Sequence, residues 1–274
     1  MSCRASLVQA THQFAAISET PRLDAELLLA HALGIAREAL LMTGLDGPAP
    51  QAFANFVARR LEHEPVAYIT GRRAFWTIEL AVGPGVLIPR ADSETLIEAA
   101  VAHFAGGPGP ASVLDLGTGS GALLLAALDQ WPGARGVGLD ASPAAVEIAR
   151  ANARRLGLDD RATIAIGDWR GRDGPHDLIL CNPPYVAADA DMPREVAGWE
   201  PAAALFAGTD GLDEYRALAP LLGSQLAAGG VACVEIGATH AAAVGALFAA
   251  HGFDARVRRD LAGRDRCLVL TRLT

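Results

Sequence analysis

The chain has 274 residues, 51% of them hydrophobic and 20% charged, which supports a sizeable core and excludes a mainly disordered chain. Its 23 basic side chains are all arginine and face 31 acidic ones, for a net charge of -8. Catalysis by a lysine amine is therefore excluded, and the acidic balance argues against a protein whose main task is gripping nucleic-acid phosphates.

Residues 1–70 read as helical. The N-terminal segment MSCRASLVQA lacks a long apolar run, so no secretory signal is expected, and no later stretch has the roughly 18 apolar residues of a membrane span. Leu23, Leu27, Leu28 and His31 fall at helical spacing after Pro21, with Asp24 and Glu26 in the first turn. Residues 52–62 repeat the pattern with Phe53, Phe56, Val57 and Leu61. The segment AFWTIELAVG (74–83) alternates in part and ends in Gly-Pro-Gly, which suggests a hairpin or bridging strand. These changes of texture predict a helical domain over 1–72, a hairpin linker over 73–90 and a second domain over 91–274.

A helix is expected over 93–104, then a turn-rich link, GGPGP (106–110). From residue 111 strand and helix alternate. Strands are expected at 112–117, 136–140, 162–168, 177–182 and 231–237. Helices are expected at 122–131, 143–156, 213–228 and 241–251, the second opened by Ser142 as N-cap and Pro143. Two β segments, DARVRRD and RCLVLTRL, follow. Strands that are apolar throughout and alternate with helices predict an α/β fold. Its sheet should be mostly parallel, covered on both faces and closed by an antiparallel edge. The four cysteines (Cys3, Cys181, Cys233, Cys267) form no Cys-x-x-Cys pair, fit neither a zinc site nor a disulfide framework, and point to a reducing compartment.

Two segments carry chemistry. The first, DLGTGSGA (115–122), follows a strand and opens a helix. Gly117 lets the chain turn sharply, and Gly119 and Gly121 let a ligand approach the backbone. Asp140 ends the next strand, where its carboxylate can accept from both hydroxyls of a ribose. The glycines also satisfy the dinucleotide pattern G-x-G-x-x-G/A, so the loop admits two ligand classes. Asp115 favours one of them. A carboxylate there repels a pyrophosphate and attracts the ammonium group of S-adenosylmethionine. Asp168 and Trp169, expected at the end of a third strand, suit an adenine: an acceptor for its exocyclic amine and a ring for its face.

The second is Asn182-Pro183-Pro184-Tyr185, where strand DLILC ends. Two prolines remove two backbone donors and leave local carbonyls as acceptors. Asn182 adds a side-chain acceptor and Tyr185 a flat ring. The set can receive a planar amide –NH2, a poor nucleophile that needs orientation. It can also stabilise the positive charge that grows on nitrogen during attack. The seven histidines are scattered and none pairs with Cys, Asp or Glu at ligand spacing, so no catalytic metal is expected.

Together, DLGTGSG, Asp140, DW and NPPY resemble an N-methylating class I methyltransferase. NPPY is shared with DNA adenine methyltransferases and protein glutamine methyltransferases. The segments RLDAELLLAHALG (22–34), EPVAYITGRRAFW (64–76), LIPRADSE (87–94) and WEPAAALFAGTDGLDEYRAL (199–218) are similar to the HemK/PrmC family, over nearly the whole chain. The resemblance implies a Rossmann-like S-adenosylmethionine-dependent fold after a small helical docking domain. It implies methyl transfer to the N5 amide of the GGQ glutamine in peptide-chain release factors, in the cytoplasm, by a monomer. It further implies that Gly117, Thr118, Gly119, Ser120, Gly121, Asp140, Trp169 and Asn182 contact S-adenosylmethionine, which leaves as S-adenosyl-L-homocysteine. Asn182, Pro183, Pro184 and Tyr185 would hold the glutamine, with Asn182, Pro183 and Tyr185 closest to the chemistry. Arg90 and Glu94 would line the mouth of the site, a surface ion pair at a helix start being the alternative. The family commonly has proline at Ala91 and phenylalanine at Trp199. The acidic charge disfavours a DNA adenine target, which would have to be flipped out of its stack.

Overall fold

The computed structural model describes residues 1–42, 45–172 and 174–273, and the chain divides into two compact units. The first comprises Met1–Arg72 together with Met192–Glu200; the second comprises Arg73–Asp191 and Pro201 onward. The excursion over 192–200 differs from the expected division, which leaves that segment in the C-terminal domain.

The first unit is helical: α1 (Cys3–Phe14), α2 (Pro21–Leu33), α3 (Arg37–Met42), α4 (Gln51–Leu61) and α5 (Val66–Thr70). Ser2 caps α1 by accepting from the Ala5 N–H at 3.3 Å. Leu7, Phe14, Leu28, Leu29 and Phe53 form the core. The expected stripe on α2 is off by part of a turn. Ala25, Leu28 and Leu29 are buried, whereas Leu23 and His31 are exposed. The reason is that Asp24 and Glu26 also point inward. Asp24 takes the guanidinium of Arg60, itself buried, at 2.9 Å, and Glu26 takes Arg22 at 2.6 Å and Arg37 at 2.8 Å. A carboxylate with a fixed cationic partner can occupy a position that a hydrophobic count assigns to solvent. Arg60 also binds Glu195, of the 192–200 segment, at 2.8 Å.

The second unit opens with a hairpin, β1 (Arg72–Phe75) and β2 (Ile78–Ala81), then a 3-10 turn (Ala91–Ser93) and α6 (Glu94–His103). Then come β3 (Ser112–Leu116), α7 (Ala122–Gln130), β4 (Arg135–Asp140), α8 (Pro143–Arg155), β5 (Ala162–Ile166) and β6 (His176–Cys181). After α9 (Arg194–Ala197), a turn belonging to the first unit, follow α10 (Asp213–Gln225), β7 (Leu226–Glu235), α11 (Ala241–Ala249), β8 (Phe253–Arg259) and β9 (Asp265–Arg272). The seven strands are ordered β5-β4-β3-β6-β7-β9-β8, parallel through β7 and antiparallel at β9 and β8. This is the mostly parallel sheet with an antiparallel edge that the apolar runs imply. Ser142 caps α8 as expected, accepting from the Ala145 N–H at 3.3 Å. Several boundaries move. Helix α10 stops at Gln225, and β7 begins at Leu226 rather than after Gly229-Gly230. Leu226 already pairs with His176 across a register shift, and Gly230 fits beside the His176 and Asp177 carbonyls. Strand β5 ends at Ile166, two residues short of Asp168.

Candidate active site

Register places the site. Leu116 of β3 pairs with Leu139 of β4 and Cys181 of β6, and Cys181 pairs with Val234 of β7. The next residues, Gly117, Asp140, Asn182 and Glu235, therefore stand side by side at the carboxyl ends of four adjacent strands. The connection direction reverses between β3 and β6, where an open α/β sheet forms its ligand crevice. Sequence reasoning finds the first three and misses Glu235. Its signal is a carboxylate that interrupts the apolar run VACV at a strand end.

The glycine loop is held by its own backbone. The N–H groups of Gly117 and Thr118 both donate to the Leu139 carbonyl at 2.9 Å, and that of Gly121 to the Thr118 carbonyl at 2.8 Å. Gly119 donates to Asp140 Oδ2 at 2.8 Å, while Asp140 Oδ1 accepts from the Ser142 N–H at 2.8 Å. All three glycines have positive φ, from 55° to 86°. Their surroundings differ. A methyl on Gly121 would lie 2.9 Å from Leu125 Cδ1, so this glycine serves helix packing rather than ligand approach. A methyl on Gly119 would meet nothing within 4 Å, and one on Gly117 would touch the Trp169 ring at 3.4 Å. Gly117 and Gly119 are partly exposed, whereas Thr118, Ser120 and Gly121 are buried. Ser120 contributes its carbonyl, which accepts from Asn152 Nδ2 at 2.9 Å. Asn152 is fully buried and also ties down both backbone groups of Ala81, a clamp that no motif announces.

Asp115, expected at the strand's end to attract the ammonium group of S-adenosylmethionine, does not reach the surface. It is fully buried beneath the loop, where its Oδ2 accepts from Thr118 Oγ1 at 2.5 Å and from the Leu124 N–H at 3.2 Å. Its Oδ1 has no partner. Burial pushes the carboxyl up to about 7, against the pull of those two donors.

At the end of β6, Asn182 Nδ2 lies 3.3 Å from Ser93 Oγ, and the Tyr185 hydroxyl donates to Glu235 Oε1 at 3.1 Å. Burial, reinforced by the neighbouring Glu235, raises the Tyr185 phenol further above its ordinary range, so it stays neutral. Its ring meets the edge of His240 at 6.5 Å between centroids. Glu235 is 1% exposed, and burial raises its carboxyl to about 7, with Ser93 and Arg266 pulling the other way. Pro183 is buried and Pro184 half-buried.

The remaining candidates separate. Trp169 is half-buried beside Gly117; its indole N–H donates to Glu214 at 2.6 Å and its carbonyl accepts from Gln225 at 2.7 Å, so the ring is fixed. Asp168 is exposed, and both its oxygens take up Arg170, through the backbone N–H at 2.9 Å and the guanidinium at 3.2 Å. Its expected place at a strand end is lost because β5 stops early. Arg90 is half-buried, and its charge acts on the Tyr185 phenol. Glu94 accepts from the Trp76 N–H at 2.9 Å. It thereby holds a hairpin turn whose tryptophan has the strained φ of 54°. No group of three or more His, Cys, Asp or Glu side chains that could hold a metal ion occurs among the described residues.

Two domain families match the chain, the PrmC N-terminal domain over residues 6–71 and a methyltransferase domain over residues 110–200. Among curated relatives, the release factor glutamine methyltransferase of Rhodospirillum rubrum is 46% identical over 261 residues, covering 93% of this chain and 80% of that protein. Those of Mycolicibacterium smegmatis (40% identical, 98% of each chain) and Cereibacter sphaeroides (44% identical, 94% and 93%) are similar to nearly the same extent. The fold is shared with a methyltransferase from Pyrococcus furiosus, at a TM-score of 0.54 and 16% identity over 79% of this chain and 97% of that one.

Proposed function

The chain belongs to the release factor glutamine methyltransferases, and from that premise we propose that it transfers a methyl group from S-adenosylmethionine to the side-chain amide nitrogen of the glutamine in the GGQ motif of release factors, in the cytoplasm. The observation that carries this reading is the row formed by Gly117, Asp140 and Asn182. It sets a glycine loop and a carboxylate for the donor beside an amide acceptor for the substrate.

The residues present fit S-adenosylmethionine. Asp140 uses one lone pair on each oxygen for Gly119 and Ser142 and keeps the others for the two hydroxyls of a ribose. The space over Gly119 is open to a ligand. Asp115 acts from beneath the loop: its charge attracts the cationic group of the donor, which would in turn draw its carboxyl down from about 7. The fixed Trp169 ring offers a face to the adenine, with Asp168 at its rim. Thr118 and Ser120 shape the loop from within. A pyrophosphate fits less well, because the Gly117 and Thr118 N–H groups that would cradle it already donate to Leu139. That disfavours a nucleotide-dependent oxidoreductase.

S-adenosylmethionine, when bound, supplies a methyl on a sulfonium centre that needs no acid to leave. The chain's own residues then have one task, orientation. Asn182 Oδ1 and the carbonyl of Pro183 accept the two hydrogens of the glutamine amide. Pro184 keeps a competing donor out, and Tyr185 covers the amide plane. Acceptors placed there gain strength as positive charge grows on the nitrogen. The neutral Tyr185 is no base, and none is needed before attack. Arg90 borders the mouth, and Glu94 supports it through the hairpin turn. The helical unit, with a groove of about 450 Å³ lined by Gln9, Gln13, Phe53 and Val57 among others, docks the release factor body.

The test is labelled S-adenosylmethionine offered with a release factor, its Gln→Ala variant, duplex DNA and ribosomal protein together. Label on the glutamine alone is expected. Equal labelling of the Gln→Ala variant, or transfer to DNA or ribosomal protein in preference, would overturn the assignment.

A further inference from the structure

An indole ring is flat but not symmetric: one edge carries an N–H donor and the other only carbon. A half-turn about the Cβ–Cγ bond exchanges the two edges and covers nearly the same area. For a half-buried tryptophan the outcome is decided by where an acceptor stands, because the N–H needs a partner. At Trp169 that acceptor is Glu214, whose Oε2 takes the indole N–H at 2.6 Å. The bond is short because the acceptor is a carboxylate. With the nitrogen edge held there, the opposite corner of the ring lies over the glycine loop. A methyl on Gly117 would touch its Cη2 at 3.4 Å and its Cζ3 at 3.6 Å. Carbon therefore faces the loop, and nitrogen faces α10.

The backbone of Trp169 is set by the far end of the same helix. Gln225, which is buried, gives Nε2 to the Trp169 carbonyl at 2.7 Å and to the Leu221 carbonyl at 3.3 Å. Both partners can only accept, so the amide has a single orientation; turned over, its oxygen would face two carbonyls. Gly171 leaves room for it, since a methyl there would overlap Gln225 Oε1. The helix is pinned to the sheet beside Glu214. The next residue, Tyr215, is fully buried, and its hydroxyl donates to the Glu235 carbonyl at 2.9 Å.

We propose that Glu214 and Gln225, at the two ends of α10, are positioning residues of the donor site: they hold the Trp169 ring with its carbon edge over the glycine loop, the posture in which its face meets the adenine of S-adenosylmethionine. The use of that posture rests on the proposed methyl transfer; its existence rests on the two bonds. Glu214 lies 45 residues after Trp169 and Gln225 lies 56 after it, so neither belongs to the motif it serves. Trp169 meets the ligand, and the other two act through it. A ring free to turn would have to be stopped on binding, at a cost in donor affinity that the clamp removes in advance.

Two readouts test this on the full chain. In the protein without donor, the Trp169 indole N–H resonance is identified by its absence from Trp169→Phe. It should move in Glu214→Leu, which keeps bulk and removes the acceptor, and much less in Glu214→Gln, which keeps an acceptor oxygen. Calorimetry should show S-adenosylmethionine bound about 3- to 10-fold more weakly by Glu214→Leu and by Gln225→Met, and within about 2-fold of wild type by Glu214→Gln. The discriminating measurement is a double variant. On a Trp169→Phe background there is no N–H to hold, so adding Glu214→Leu should change affinity by no more than about 2-fold. A general effect of Glu214 on the fold would persist on both backgrounds. An unmoved indole resonance or wild-type affinity in Glu214→Leu, or an equal loss on both backgrounds, would overturn the proposal. Should Glu214→Leu fail to fold, Glu214→Ala carries the same readouts. A displaced indole resonance, with no S-adenosylmethionine bound even by wild type, would sink the functional reading and leave the clamp standing.

Discussion

Two loops share the crevice and are built on opposite principles. The glycine loop after β3 satisfies itself: three of its N–H groups end on carbonyls of the loop or of Leu139, and a fourth on Asp140. Its conformation is written in local residues, three glycines at positive φ. The NPPY loop after β6 gives up two of its own donors to proline and is held by side chains that arrive from elsewhere. Ser93 lies 89 residues before Asn182, and Glu235 lies 50 residues after Tyr185. A binding loop for an invariant donor can be local and self-contained. The NPPY loop instead takes its fixed points from side chains distant in sequence, Ser93 for Asn182 and Glu235 for Tyr185.

The difference predicts where substitutions act. Removing the Asn182 amide should be most costly. Asn182→Ala should lower kcat roughly 10²- to 10³-fold, the range seen when one preorganised hydrogen-bonding group facing developing charge is lost. Donor affinity measured by calorimetry should be nearly unchanged. Near-normal turnover would show that the NPPY loop works through its backbone, as the glycine loop does. Asp140→Ala should do the reverse. It unties the Gly119 and Ser142 N–H groups and removes the acceptors proposed for the ribose. Its expected cost is about 10- to 100-fold in S-adenosylmethionine affinity, consistent with losing charge-assisted hydrogen bonds. An affinity equal to wild type would remove Asp140 from the donor site.

The same contrast explains what the sequence made legible. Strand and helix alternation yields the parallel sheet because buried strands are apolar along their whole length. The glycine loop and NPPY are legible because each encodes a backbone constraint in adjacent residues. Ser93, Glu235 and Asn152 are not, since each acts through a partner brought near only by strand register or helix packing. Buried charge misleads in the same way. Asp24 and Glu26 read only as first-turn acids of α2, yet both are buried against arginines that a local pattern does not connect to them. Asp168 is misplaced because the β5 ladder ends there: Gly167 gives its last bond, to the Asp140 carbonyl at 3.1 Å, and the chain beyond it is no longer strand.

Within the glycine loop the comparison can be narrowed to a pair of methyl groups. Gly121→Ala adds a methyl 2.9 Å from Leu125 Cδ1 to a backbone at φ 86°, and should cost about 2–3 kcal/mol in denaturant unfolding from strain and overpacking together. Gly119→Ala meets open space, so only the strain of its φ remains, about 1 kcal/mol. Its methyl projects into the volume assigned to the donor, and S-adenosylmethionine affinity should fall more than in Gly121→Ala. Equal effects on stability and affinity would erase the distinction between the packing glycine and the ligand-facing one.

The smallest effect is expected at Glu94, which the family resemblance places at the substrate mouth. Its Oε1 is engaged by the Trp76 N–H, on a turn that a tryptophan occupies at φ 54°. A glutamine keeps a carbonyl oxygen at that position, so Glu94→Gln should preserve the turn and change stability by no more than about 0.5 kcal/mol. If Glu94 acts only through that turn, turnover and KM for the release factor should both stay near wild type. If instead its charge meets the substrate, KM should rise while the melting temperature holds. Glu94→Ala separates the cases from the other side. It removes the acceptor and leaves the Trp76 N–H unpaired, so stability should fall by about 1 kcal/mol or more whichever role is correct. Only the pair of variants, measured for melting and for KM, tells whether Glu94 belongs with Ser93 and Glu235, which support the site from outside it, or with Asn182, which works inside it.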